Sequence, residues 1–212
     1  MFTGLITHIA KIIDISKKSN QDLILKIAIP KKDLKNSKYD IGSSISCSGM
    51  CLTVTKLEED NDLQLFSFEV SPETISKTNI SNWKIGDYIN IEFSLRIGDE
   101  IGGHLVSGHI DSIADINQIE KINNDSWIFT FKISKNFQKF ICQKGSITIN
   151  GISLTINDII NFDKEYFLFQ INIISHTFAN TNLQFLRNSD QVNIEIDMIA
   201  RYVANNLLTK LN

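Results

Sequence analysis

The chain is written twice. Thr3-Gly4-Leu5-Ile6 returns as Ser107-Gly108-His109-Ile110, an offset of 104 residues from Thr3 to Ser107. Ser44-Ile45-Ser46-Cys47-Ser48-Gly49-Met50-Cys51-Leu52-Thr53-Val54 returns as Ser146-Ile147-Thr148-Ile149-Asn150-Gly151-Ile152-Ser153-Leu154-Thr155-Ile156, an offset of 102 from Ser44 to Ser146. Thr74 to Asn79 returns as Thr177 to Asn182, and Asp87 to Glu92 as Asp190 to Glu195, both at 103. The small drift is what loop insertions produce. Self-similarity at a fixed period constrains the fold more than any local pattern, because each copy must then be a folding unit of its own. At 212 residues in all, each copy is long enough to bury a core.

Apolar residues recur mainly with period two: Leu23, Leu25 and Ile27; Leu63 and Leu65, then Phe66, Phe68 and Val70; Tyr88, Ile89, Ile91 and Phe93; Ile128 to Ile133; Phe167, Phe169, Ile171 and Ile173. Such runs, broken by Asn, Asp, Gly and Ser, read as strands. About six fall in each copy, a number suited to a small closed or nearly closed antiparallel barrel, which removes exposed sheet edges. Short helical inserts are expected after Pro30, over Lys31 to Leu34, and around Phe137, Phe140 and Ile141. The last segment has no counterpart in the first copy. Met198, Ile199, Tyr202, Val203 and Leu207 share one face of a helix, with Arg201, Asn205 and Lys210 elsewhere. The expected division is residues 1–97, 98–197 and a helix over 198–212, which either caps a barrel or associates with the same helix of other subunits. Two prolines and the lack of a Gly/Ser-rich run make the two barrels abut.

Net charge is −3 with scattered Lys and Arg, so there is no electrostatic footprint for nucleic acid or an anionic membrane. Met1-Phe2-Thr3-Gly4 has neither the basic nor the apolar region of a signal peptide, and no stretch has the ~18 apolar residues of a span. Cys47, Cys51 and Cys142 are odd in number and spread out, which fits a reducing cytoplasm. Cys47 and Cys51 lack a second Cys or His pair at ligand spacing, so no metal is expected. Gly102-Gly103 and Gly108 precede strand-like sequence rather than a helix, the wrong setting for a dinucleotide phosphate. Tandem barrels for single-stranded nucleic acid would need a basic groove with interleaved aromatics, which is missing.

Comparing the copies separates what both need from what one needs. Gly4 and Gly108, Gly49 and Gly151, Thr53 and Thr155, and Thr74 and Thr177 are shared; they suit a ligand held by both copies, or ordinary turns and barrel corners. Leu5 faces His109, Cys51 faces Ser153, Glu73 faces His176, Ile41 faces Lys144 and Ser94 faces Asp197. One copy thus holds the thiol, while the other gains His, Lys and Asp, the groups that move protons.

Phe2-Thr3-Gly4, Gly49 to Val54, Gly102 to His109, Lys144-Gly145-Ser146-Ile147 with Asn150 to Thr155, and Asn193 to Asp197 together resemble the riboflavin synthase family of the alpha-chain type, over essentially the whole chain. The resemblance implies an all-β fold, two tandem six-stranded antiparallel Greek-key barrels followed by a C-terminal α-helix. It implies a transferase without cofactor: two molecules of 6,7-dimethyl-8-ribityllumazine meet, one gives four carbons to the other, and riboflavin and 5-amino-6-(D-ribitylamino)uracil leave. It also implies a homotrimer in which the reacting pair lies between subunits, and leaves open an association with lumazine synthase.

Carried onto this chain, the resemblance places each lumazine against three strips of one barrel. In the first copy these are Gly4, Leu5 and Ile6; Cys51, Leu52 and Thr53; and Glu69, Val70, Ser71, Pro72, Glu73 and Thr74. In the second they are Gly108, His109 and Ile110; Ser153, Leu154 and Thr155; and Asn172, Ile173, Ile174, Ser175, His176 and Thr177, with Lys144 added. The chemistry needs a proton taken from the 7-methyl of one lumazine and a nucleophile added to C7 of the other. His109 is the expected proton carrier, because imidazole titrates near working pH. Cys51 either adds to C7 or shapes the wall, with Ser44, Ser153, Thr74 or an activated water as rivals. Asp197 and Phe2 complete the site by resemblance, His104 reads as structural and His8 as a surface strand residue. Ser48 stands where the family more often has Asn, and Ser175-His176 where Pro-Glu is usual. A non-catalytic lumazine- or flavin-binding protein of the antenna type is the alternative.

Overall fold

The computed structural model describes residues 1–18, 21–35, 37–122 and 126–209. The first copy runs β1 (His8–Lys17), β2 (Leu23–Pro30), a 3-10 turn (Lys31–Leu34), β3 (Ser44–Cys47), β4 (Met50–Asp60), β5 (Leu63–Val70), α1 (Pro72–Lys77), a 3-10 turn (Asn79–Asn82) and β6 (Tyr88–Phe93). The second runs β7 (Ser112–Ile122), β8 (Ser126–Ser134), a 3-10 turn (Lys135–Phe140), β9 (Ser146–Ile149), β10 (Ile152–Thr155), β11 (Asp158–Asn161), β12 (Tyr166–Ile174), α2 (Ser175–Ala179), a 3-10 turn (Asn182–Phe185) and β13 (Gln191–Ile196), and α3 (Met198–Thr209) ends the described chain. The expected inserts after Pro30 and around Phe137 are both 3-10 turns. Neither α1 nor α2 was visible as a helix in the repeat pattern.

The first copy is a closed antiparallel barrel in the order β1-β2-β5-β4-β3-β6, with β6 returning to β1. Its alternating Leu, Ile and Phe face inward: Leu25, Ile27, Ile45, Phe66, Phe68 and Ile91 have no exposed surface. Burying each such side chain contributes about 1.5–3 kcal/mol. A bulge between Ile12 and Asp14 in β1 recurs between Ile116 and Gln118 in β7, where it turns the strand as a barrel corner requires.

The second copy departs from the six strands expected. Its sheet has seven, in the order β10-β9-β13-β7-β8-β12-β11, and no ladder joins its two end strands. The cause is local. Where β4 runs on through a bulge between Val54 and Lys56, its counterpart breaks at Ile156 and Asn157 into β10 and β11. Ile156 keeps the contacts Val54 makes, donating to Gly145 O as Val54 donates to Ser43 O. Asn157 then donates its N–H to Gln170 O, and its Oδ1 accepts the Asn172 N–H. A side chain thus takes an amide that a continuous ladder would use. The core is filled by Phe129, Phe131, Phe167 and Phe169, with Phe131 and Phe169 stacked 5.3 Å apart.

The copies meet on Gly49 and Gly151. A Cβ on either would lie 2.9 or 2.8 Å from the other's amide nitrogen, so only glycine permits this approach. Around them the Asn90 N–H donates to Ser48 Oγ, and the Asn193 N–H donates to Asn150 Oδ1. Across the join, the Asn79 N–H donates to Asn193 Oδ1 and the Asn182 N–H to Asn90 Oδ1. These buried, reciprocally bonded amides fix one register between the halves.

Helix α3 leaves the second barrel held by two hydrogen bonds that Arg201 Nη2 donates to the carboxylate oxygens of Asp111, at 2.7 and 2.8 Å. Ala200 packs on the barrel core, yet Ile199, Tyr202, Val203 and Leu207 remain more than half exposed. Lys210 lies outside the described residues. Among those described, no helix is long and apolar enough to cross a membrane.

Candidate functional site

The segment ahead of each copy's first strand crosses to the other copy. Gly4 O accepts the Ser153 N–H at 2.8 Å, and Gly108 O accepts the Cys51 N–H at 2.8 Å. Ile6 packs on the core of the second copy and Ile110 on that of the first. A Cβ on Gly4 would fall 2.5 Å from Ser153 Cβ, and one on Gly108 2.6 Å from Cys51 Cβ. Both glycines have left-handed φ, +77° and +80°. This corrects the expectation that each pocket takes all three strips from its own barrel. The strip 4–6 belongs with Ser153 and the strip 108–110 with Cys51. The reason is polarity: each strip's N–H groups are already bonded to its own barrel, which turns its carbonyl toward the neighbour.

The first composite pocket is a cavity of about 250 Å³ lined by Met50, Cys51, Glu73, Thr74, Lys77 and Thr78 of the first copy and Gly108, His109 and Ile110 of the second. Cys51 on β4 and exposed His109 therefore share one wall, which the sequence pairing of Cys51 with Leu5 had separated. Thr74 is placed by the start of α1. Ser71 is the N-cap, accepting the Thr74 N–H at 3.2 Å, and Pro72 opens the helix with the φ it needs. Glu69 points away and pairs with Lys18 at 2.8 Å.

Around the second pocket, Ser153 lies under Gly4 and Gly103. His104 Nδ1 is 2.7 Å from Ser153 Oγ, and its Nε2 is 3.1 Å from Thr148 Oγ1. Burial holds the imidazole below its ordinary 6.5, against a smaller opposing pull from the Asp197 charge. His104 thus touches a candidate substrate-facing hydroxyl. A cavity of about 490 Å³, lined by neither Ser153 nor His104, has Ile6, Thr7, His8, Ile9, Ile29, Asp33, His176, Ala179 and Asn180 around it. His176 and Thr177 sit on α2, whose N-cap, Ile174, offers no side-chain oxygen, unlike Ser71. Asn172 and Ile174 are exposed and Ser175 opens α2.

Several expected residues sit in the framework. Phe2 is wholly buried, bridging Val106 through two backbone bonds, and Val70, Ile173 and Leu52 are core side chains. Leu154 packs on the second core. Thr53 and Thr155 occupy exposed strand positions opposite Ser44 and Ser146. Ser94 Oγ donates to Ser44 O, whereas Asp197, in the matching place, accepts the Ile199 N–H and starts α3. Asp197 also lines a cavity of about 360 Å³ with Cys142, Gly145, Ser146 and the apolar face of α3. Lys144 is exposed and matches Gly42, not Ile41. Gly42 donates to Val54 O as Lys144 donates to Ile156 O, and both have positive φ, +90° and +67°. A lysine holds a turn that suits glycine, a backbone cost of about 1–2 kcal/mol.

A larger cavity, about 580 Å³, lies between α3 and the second barrel and is lined by residues including Ser107, His109, Lys139, Glu195, Arg201 and Tyr202. His109 borders both this space and the Cys51 pocket. Glu92 and Glu195 are the buried carboxylates that the sequence reading passed over. Burial pushes both above the ordinary carboxylate range, against the pull of their amide donors. Their signal was present, since they hold matched places in the two copies.

A lumazine binding domain model matches residues 3–94 and again 107–197. Riboflavin synthase of Brucella abortus (strain 2308) is 40% identical over 205 residues, 96% of this chain and 96% of its own length. Riboflavin synthase of Buchnera aphidicola subsp. Schizaphis graminum is 37% identical over 203 residues, 96% of this chain and 92% of its own. Among solved structures, LumP complexed with riboflavin superposes with a TM-score of 0.77 at 25% identity, covering 92% of this chain and 99% of LumP. LumP complexed with 6,7-dimethyl-8-(1'-D-ribityl) lumazine gives the same TM-score at 24% identity.

Proposed function

The chain belongs to the riboflavin synthase family of tandem lumazine-binding domains, and we propose from that premise that it joins two molecules of 6,7-dimethyl-8-ribityllumazine. Four carbons pass from one to the other, giving riboflavin and 5-amino-6-(D-ribitylamino)uracil. The observation that carries the reading is the exchange of strips. A protein that only holds one ligand needs one such place, whereas here the crossing of a strip onto the other copy's Cys51 or Ser153 is made twice. Holding two identical heterocycles in fixed opposition is worth about 7–11 kcal/mol of barrier when the geometry is right.

His109 takes the proton from the 7-methyl of one lumazine. It is exposed on the strip that faces Cys51, within the same cavity. Ser153, at the other exchanged strip, meets C7 of the other lumazine, with Cys51, Thr74, Ser44 and water as the remaining nucleophiles. Ser153 has an imidazole on its hydroxyl, which suits it to exchange a proton. Backbone groups of Leu5, Thr53 and Thr155 suit the ring edge, those of Gly4 and Gly108 being spent on the join between the copies, and Lys144, Glu73, Pro72, Ser175 and His176 suit the ribityl chain. The reaction runs on these groups and the substrate, without a cofactor. Asp197 acts at the head of α3, and Phe2 holds the strip behind it.

The exposed apolar face of α3 supports association through the helices, as a homotrimer whose reacting pair lies between subunits. A cytoplasmic site and a contact with lumazine synthase belong to the same reading. The likeness to LumP supports the rival, a binder without turnover. Mixing the protein with the lumazine and following flavin absorbance separates the two: turnover is expected, and saturable binding with no flavin formed selects the rival.

A further inference from the structure

We propose that Glu92 and Glu195 are positioning residues, each clasping one exchanged strip by its amides, and that Glu195 thereby sets His109 against Cys51. Glu195 Oε1 accepts the Ser107 N–H at 2.6 Å and Oε2 accepts the Gly108 N–H at 2.9 Å. Glu92 repeats this with Thr3 N–H at 2.7 Å and Gly4 N–H at 2.9 Å, and adds the Thr3 hydroxyl at 2.7 Å. Both carboxylates are 4% exposed. Each is the second-to-last residue of its copy's last strand, β6 or β13.

Two successive N–H groups ahead of a left-handed glycine converge on one side and form a small anion cradle. A carboxylate, which has only acceptors, fills it with both oxygens. No ion pair to either glutamate is seen among the described residues, and Arg201, which shares a cavity with Glu195, pairs with Asp111. The strip is therefore held from two sides: its N–H groups by a carboxylate of its own copy, its carbonyl by the N–H of Cys51 or Ser153 in the other. His109 follows Gly108 directly, so the carboxylate decides where the imidazole stands. A glutamine in its place would set its NH₂ against one of the amide donors and lose that bond.

The clasp stands on the fold, while its effect on catalysis rests on the function proposed above. Backbone hydrogen exchange read by mass spectrometry, on Glu195→Gln and Glu92→Gln in the full chain, tests the first independently of the second. E195Q is expected to speed exchange about tenfold at residues 107–110 and at Cys51, leaving residues 3–6 and Ser153 at wild-type rates; E92Q is expected to do the reverse. With lumazine supplied, E195Q should lose kcat with little change in KM, and E92Q should raise KM more than it lowers kcat. Should either glutamine variant fail to fold, Glu195→Asp and Glu92→Asp keep the charge and shorten the reach, and the same crossed pattern is required of them. Exchange that rises equally in both halves, or stays unchanged at Cys51, overturns the clasp; so does loss of folded protein in both variants of one glutamate, which would make it a folding element. A wild-type protein that forms no flavin but shows the crossed pattern overturns the function and leaves the clasp.

Discussion

His104 Nδ1 and Ser153 Oγ are 2.7 Å apart, and the other ring nitrogen of His104 reaches the fully buried Thr148 at 3.1 Å. Burial disfavours the charged form of the ring, against a smaller opposing pull from the Asp197 charge. A neutral imidazole has one donor and one acceptor nitrogen, so it orders the hydroxyls on both sides. It also links stability to pH. The unfolded chain takes up a proton near 6.5 while the folded one resists until lower, so stability falls as pH drops through that window. His104→Gln should flatten this fall. Urea midpoints at pH 7.5 and 5.5 measure it, and an equal fall in both proteins would show that the ring is not its source.

His109→Ala should lower turnover about a hundredfold while leaving lumazine binding near wild type, the scale of a lost proton carrier. Leu5→Ala, at the matching place in the other strip, should weaken binding more than turnover. Steady-state kinetics with fluorescence titration of the ligand decide this, and equal loss of both parameters in the two variants would contradict the division of labour.

Gly108→Ala and Gly42→Ala place the same methyl on a left-handed backbone, at φ +80° and +90°. The second meets nothing within 4 Å and should cost about 1 kcal/mol, whereas the first drives into Cys51. Chemical denaturation should therefore rank G108A as the more destabilised, by at least about 1–3 kcal/mol, the scale of overpacking. Similar midpoints for the two would mean the strip does not press on β4.

Ser48→Asn should stabilise the join between the copies. Asn182 Oδ1 accepts from Asn90 Nδ2 at 2.9 Å and lies 3.5 Å from Asn150 Nδ2, but the matching Asn79 Oδ1 is buried without a partner: Asn193 Nδ2 donates to Ser48 O instead, and Ser48 has no amide to offer. Ser48 also has φ +45°, which asparagine tolerates better than serine. A gain of about 1–2 kcal/mol is expected, seen as a raised Tm. No gain would place a different donor at Asn79.

Removing the chain from Met198 onward should leave both barrels folded and abolish association, as read by sedimentation at low concentration. Persistent trimers would assign the contact to the barrels instead.

The repeat in the sequence determined that the fold would be a doubled β unit, because period-two apolar runs with matched glycines leave a strand no other way to bury one face. It also marked Cys51, Ser153, His109 and Thr74 as candidate site residues, and the structure gathers Cys51, Thr74 and His109 around one cavity. It left unread that β4 has a broken counterpart, since Asn157 acts by taking a backbone amide, which residue type alone does not disclose. It left unread, above all, that the strips change sides. Repetition says which residues are equivalent, but equivalent strips can pair within a copy or between copies with the same letters. Only the tertiary structure decided, through Glu92 and Glu195, which bind each strip's amides at home and turn its carbonyl to the neighbour.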